Sequence, residues 1–242
     1  MTAHFVNLLD DVQRRSLRMA SAVEDVLQEA CESVARRDHL LARRVVARDE
    51  EIDAEEVAVE TEVIRLMTLF QPMGGDMRRL CTILKVNSDL ERIADCAVNI
   101  AERAGHLDDD STAAEEADLQ RMFPVVRRIL RDAVQAYAAG DAGTAERILG
   151  EDEVVDAFYG QFIRRLAVAA AASPERMAAH LDVLSIAKNL ERIADHAVNI
   201  AEDVIFLSSG RIVRHRSAER LEAGAIPSQG LKAGSAEERR LP

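Results

Sequence analysis

Tryptophan is absent, and only six phenylalanines and two tyrosines supply aromatic rings. Glycine (11) and proline (5) are also scarce across the 242 residues. A sheet protein with many turns needs more of all four, whereas Ala, Leu, Val, Arg and Glu, which dominate here, favour long helices. The three cysteines, Cys31, Cys81 and Cys96, are scattered, odd in number and without CxxC spacing, which excludes a disulfide framework. They read as small core residues in a reducing cytosol.

Positive charge is in deficit: 31 Lys and Arg against 43 Asp and Glu leave a formal net charge of −12. A phosphate backbone recruits clustered basic residues, so nucleic acid is excluded as a partner. Direct adsorption to anionic lipid is disfavoured for the same reason. The first residues, MTAHFVNLLDDVQRR, lack the basic-then-apolar pattern of a signal peptide. The longest apolar run, LAVAAAA at 166–172, is far too short to span a bilayer. No GxxxxGK[ST], GxSxG or HExxH motif occurs, and without an ExxH pair a ferritin-like di-iron oxidase is not expected.

What is present is a repeat. LERIADCAVNIAE begins at Leu90 and LERIADHAVNIAE at Leu190, differing only at Cys96 against His196. Upstream, Asp38 to Asp53 aligns with Asp141 to Asp156 at an offset of 103. The offset falls to 100 in the third segment because FQPMGGDM is a longer turn than AASPERM. Breakers and caps place helices at about 4–36, 39–69 and 76–105, then at about 114–138, 142–171 and 175–207. Ser173-Pro174 reads as a helix start, with Ser as N-cap and Pro at the first helical position. The expected fold is all-α: two tandem, homologous three-helix bundles, up-down-up repeated, over residues 1–107 and 108–216. One continuous six-helix bundle is the alternative. Residues 217–242 have little periodic apolar content and are expected to form a disordered tail.

In the third segment, Leu90, Ile93, Ala94, Ala97, Val98, Ile100 and Ala101 cover an apolar arc of about 160°. Glu91, Asp95, Asn99 and Glu102 form a column beside it. The second segment places Asp49, Asp53, Glu56 and Glu60 beside its own seam of Leu41, Val45, Ile52, Val59, Val63 and Leu66. The two segments meet at a tight turn around Pro72 and should run antiparallel. Asp53 and Glu91 lie equally far from Pro72, as do Asp49 and Asp95, so both pairs stand level, the first roughly 28 Å from the turn. In the second half Asp152 with Asp195, and Asp156 with Glu191, share a midpoint at Ser173-Pro174.

Four carboxylates at one height repel. Two unit charges 4 Å apart cost about 4 kcal/mol at an effective dielectric near 20. A cation between the helices would reverse that sign, and oxygen-only donors favour Mg²⁺, Mn²⁺, Ca²⁺ or iron. Asn99 and Asn199, one turn further on, could add amide oxygens or orient the ligands. The alternative is a solvated acidic face balanced by Arg92, Arg192, Lys85 and other bases. His196 replaces Cys96 in the repeat and reads as a partly buried neighbour, not a ligand.

The chain resembles the PhoU family of cytoplasmic regulators of bacterial phosphate uptake. The resemblance rests on QPMGGDMRRL, LKVNSDLERIADCAVNIAE, KNLERIADHAVNIAEDVIF and SSGRIVRH, and covers about residues 4–216. It implies two similar three-helix bundles carrying multinuclear metal clusters on E(D)xxxD motifs. Those match Asp49 and Asp53, Glu91 and Asp95, Asp152 and Asp156, and Glu191 and Asp195. The implied ions are divalent or iron-type: Mg, Mn, Fe or Zn. The implied role is non-enzymatic, an adaptor between the phosphate ABC transporter ATPase subunit and the phosphate-sensing histidine kinase. Such an adaptor represses phosphate-starvation genes when phosphate is plentiful. A homodimer, recruited to the inner membrane face by its partners, fits that role. Gly74-Gly75 departs from the larger residues common at the family's first turn. Two rival readings are a metal-dependent phosphate-ester hydrolase, for which no separate general acid is evident, and a purely structural bundle.

Overall fold

The computed structural model describes residues 3–107 and 113–213, leaving out the side chains of 113–116 and Asp152. The expected tail at 217–242 lies outside the described residues. Eight α-helices follow in order: α1 (Ala3–Arg36), α2 (His39–Ala47), α3 (Asp49–Phe70), α4 (Gly75–Ala104), α5 (Ala113–Ala139), α6 (Ala142–Ile148), α7 (Asp152–Ala172) and α8 (Met177–Ser209). Among the described residues there is no strand. None of the helices is long and apolar enough to cross a membrane. The fold is all-α, two tandem and homologous three-helix bundles.

The repeat governs each turn. Where α1 ends, Arg37 adopts a left-handed φ of 51°, and its counterpart after α5, Gly140, has φ 64°. The next residue is the N-cap in both halves. Asp38 accepts from the amides of Leu40 and Leu41, and Asp141 from those of Gly143 and Thr144. Each cap satisfies donors that the first helical turn leaves without a partner.

The helices expected at 39–69 and 142–171 are each broken in two, a correction to the reading of the sequence. Arg48 closes α2 with its N–H shared between the carbonyls of Val45 and Val46, and α3 starts afresh at Asp49. In the second half the break falls at Leu149–Glu151, where the Glu151 N–H reaches back only to the Ile148 carbonyl at 2.9 Å. Such three-residue bonds tighten the helix and re-aim its axis. Val45 and Ile52, on either side of the first break, both stay in the core at 0% and 4% exposure. Ser173 and Pro174 do hold the N-cap and first helical positions, but the Ser173 side chain makes no capping bond and Pro174–Arg176 form a 3₁₀ turn before α8.

Within each half the third long helix is the hub: α4 packs on α1, α2 and α3, and α8 packs on α5, α6 and α7. The halves join through α4 against α8, the most extensive helix pair in the molecule, and through α1 against α5. Lys85 bonds Asp203, Asn199 bonds Asp89 and Arg103 bonds Asp182, so rising numbers on α4 meet falling numbers on α8 and the pair is antiparallel. The helices up to Ile212 form one compact unit. The apolar arc of the repeated motif supplies this seam. Leu90, Ile93, Ile100, Leu190, Ile193 and Ile200 are all 0% exposed, as are the small residues Ala97, Ala101, Ala197 and Ala201. Alanines on both faces let the hub helices approach closely, and their burial displaces apolar surface from water at about 25 cal/mol per Å².

Candidate metal centre

Burying one arc of α4 and α8 turns the adjacent column toward α3 and α7. In the first hairpin the acids of the two helices come within electrostatic reach. Asp49 is pushed above the usual carboxylate range first by burial, then by the charges of Asp53, Asp95 and Glu102. Glu91 is raised by burial and then by Asp95, with Glu56 and Asp53 adding to it across the hairpin. Glu56 is raised too, by burial first and then by Glu60, Asp53 and Asp95. A raised carboxylate pKa means that the ionised form is disfavoured by the fold as it stands. One oxygen of Asp49, Oδ1, is buried with no hydrogen-bond partner. Such an atom normally finds a donor or a cation.

The balancing bases are only partly in place. Arg92 approaches Glu91 at 3.2 Å and Asp95 at 3.7 Å from an exposed position. Lys85, expected among those bases, instead crosses to α8, where its Nζ lies 2.8 Å from the buried Asp203 and 4.7 Å from the Phe206 ring centre.

The second hairpin gathers its acids more tightly. Oxygens of Asp156, Glu191 and Asp195 all lie within 4.8 Å of one another. Among the described residues, no other group of three acidic, histidine or cysteine side chains meets that separation. The side chain of Asp152, the fourth expected member, lies outside the described residues. Asp156 is raised by burial first and then by Glu191, with Lys188 pulling the other way. Lys188 donates to Glu191 Oε2 at 2.6 Å and lies 5.3 Å from the centre of the Tyr159 ring.

The amide nitrogens of the two asparagines each make a hydrogen bond. Asn99 donates to the carbonyl of Asp95 one turn back, at 2.8 Å. Asn199 donates across the hub interface to Asp89 Oδ1 at 3.2 Å, an oxygen that also meets His196 Nδ1 at 2.8 Å. His196 is thus a half-buried bridge between the bundles. Lys188 and Tyr159 were not picked out from the sequence, although the repeat carries the signal: their counterparts are Ser88 and Glu56.

The converging donors of the second hairpin are carboxylate oxygens, and the first hairpin holds a buried, unsatisfied carboxylate oxygen on Asp49; such donors suit hard cations. Fold and site together define a tandem three-helix-bundle protein with an acidic helical hairpin in each half. The family model described as the PhoU domain matches twice, over residues 16–104 and 119–204. A Caulobacter vibrioides protein named phosphate-specific transport system accessory protein PhoU homolog is 38% identical over 194 residues, 80% of this chain and 84% of that protein. The Aquifex aeolicus protein of the same name is 34% identical over 208 residues, 86% of this chain and 94% of that one. The crystal structure of PhoU from Pseudomonas aeruginosa superposes with a TM-score of 0.83 at 31% identity, covering 86% of this chain and 100% of that one. The chain belongs to the PhoU family.

Proposed function

We propose that this protein is a regulator of inorganic phosphate uptake and phosphate-starvation signalling. It acts as a non-enzymatic adaptor between the phosphate ABC transporter ATPase and the sensor histidine kinase, and represses the regulon when phosphate is plentiful. The observation that carries this reading is the 38% identity, over 80% of the chain, to a relative named as an accessory protein of that transport system. In this reading residues 1–107 and 108–216 are the two bundles, the protein works as a cytoplasmic homodimer, and its partners bring it to the inner membrane face.

Each hairpin would hold its metal on the opposed acids: Asp49, Asp53, Glu91 and Asp95 in the first, and Asp152, Asp156, Glu191 and Asp195 in the second. The ion, of the Mg, Mn, Fe or Zn kind, would supply positive charge that cancels the mutual repulsion. The support in the first hairpin is the unsatisfied Asp49 Oδ1, and in the second the meeting of Asp156, Glu191 and Asp195 within 4.8 Å. The helices themselves then do the work. With repulsion cancelled, α3 is held against α4 and α7 against α8, and the remaining exposed acids form a fixed surface for basic patches on the partners. Attraction of that kind is sensitive to salt.

The test is co-precipitation of the transporter ATPase or the kinase with the full chain. Retention is expected to fall on chelation and in the Asp95→Ala plus Asp195→Ala variant. Unchanged retention in both conditions would overturn the metal-dependent mechanism, and no retention of either partner in any condition would overturn the adaptor role.

A further inference from the structure

The two acidic hairpins are not equivalent, and two of the positions at which the repeat differs in charge lie beside the acid cluster of the second hairpin. At the offset of 100 that relates α8 to α4, Lys188 takes the place of Ser88; at the offset of 103 that relates α7 to α3, Tyr159 takes the place of Glu56. The first replacement adds a positive charge and the second removes a negative one. At these two positions together the second hairpin is therefore more positive by two unit charges, although the acid motifs themselves are repeated.

Geometry places that change in the cluster. The Lys188 ammonium lies 2.6 Å from Glu191 Oε2, and Glu191 is one of the three acids whose oxygens gather within 4.8 Å. The Tyr159 ring, 5.3 Å from Lys188 Nζ, offers its negative face to the same ammonium. A ring also leaves one carboxylate fewer for an ion to use. In the first hairpin Glu56 is half-buried near Asp53, and Ser88 brings no charge. The nearest base there, Arg92, reaches the acids at 3.2 and 3.7 Å, looser than the lysine contact.

We propose that Lys188, seated on Tyr159, is a tethered counter-ion that competes with metal in the second hairpin. The first hairpin is then the tight metal site and the second the weak one. This inference rests on the metal-binding reading given above. Its consequence is that the α7–α8 hairpin keeps its acids partly neutralised without metal, whereas the α3–α4 hairpin depends on the ion. Changes in metal supply would then act on one half of the molecule.

The experiment is a Mn²⁺ titration of the metal-depleted full chain, with free Mn²⁺ read by electron paramagnetic resonance. Asp95→Ala isolates the second hairpin and Asp195→Ala isolates the first. In the Asp95→Ala background, Lys188→Ser is expected to tighten Mn²⁺ binding by about tenfold or more, as loss of a nearby like charge should. In the Asp195→Ala background, Ser88→Lys should weaken binding by a similar factor. Lys188 is exposed, so its loss leaves the fold intact, and an unchanged helical circular-dichroism signal verifies this. If Mn²⁺ binds but both swaps leave Kd within about twofold, the counter-ion role is overturned and the metal reading stands. If Mn²⁺ binds to neither hairpin in any variant, the metal reading falls and takes this inference with it.

Discussion

Asp49 shows how a single side chain can be placed for something other than stability. Its folded pKa is raised, so its contribution to stability is full below the unfolded value and is lost as pH rises through the folded one. At neutral pH the charge therefore works against the metal-free fold. Asp49→Asn is expected to stabilise metal-free protein at pH 7 by about 0.5 kcal/mol, the scale of like-charge repulsion along helices. In excess Mn²⁺ the same variant should gain less stability than the parent. Denaturant unfolding with and without Mn²⁺ checks both signs. Glu55 behaves in the opposite way. It accepts two bonds from the Arg15 guanidinium, the one from Nη2 at 2.8 Å, and those bonds hold its pKa below the ordinary value. Its stabilisation is present above the unfolded pKa and is lost as pH falls through the folded one. For this partly exposed pair Glu55→Gln should cost under about 1 kcal/mol at pH 7, and the difference should shrink in unfolding curves as pH falls through the lowered folded pKa. Two of the cysteines are held protonated at neutral pH: burial pushes the Cys31 thiol up to about 12 and the Cys96 thiol up to about 11.

At the scale of the element, the hairpin is what the sequence made legible. Equal distances of Asp53 and Glu91 from Pro72 place them level on antiparallel helices, and Glu91 feels the charge of Asp53 across the turn, while in the second hairpin Asp156 meets Glu191 and Asp195 within 4.8 Å. The breaks at Arg48 and at Leu149–Glu151 were not legible, because the apolar seam runs on through them. Val45 and Ile52 are a heptad apart, which suits a continuous helix as well as a tightened one. A hydrogen bond shifting from the fourth to the third preceding residue leaves no trace in hydrophobic spacing. The bond that Asn199 makes was hidden for a related reason: a helix surface has two neighbours, and Asp89 on α4 accepts from its amide nitrogen. The start of α2 provides a prediction at this scale. Asp38 accepts from two backbone amides, at 3.0 and 2.9 Å, so Asp38→Ala should cost about 1 kcal/mol in equilibrium unfolding.

In the whole molecule, the two halves are joined by the same motif that builds the acidic columns. One face of α4 and α8 buries the alanines and isoleucines of the seam, and the adjacent face carries the carboxylates. Repetition of the entire thirteen-residue motif therefore serves packing and charge together. Lys85 and Asp203 add a polar bond to this seam; Asp203 is 2% exposed, and the ammonium lies 2.8 Å from it. Lys85→Ala should destabilise the fold by about 1.5–3 kcal/mol, the range for hydrogen bonds to charged groups, read from the midpoint of thermal or denaturant unfolding. Opposed carboxylates that share cations remain the centre of the account. Elemental analysis of protein purified without chelator, beside the Asp95→Ala plus Asp195→Ala variant, tests it most directly. The account predicts bound metal in stoichiometric amount on the parent and little on the variant. Equal metal on both proteins, or none on the parent, would contradict it.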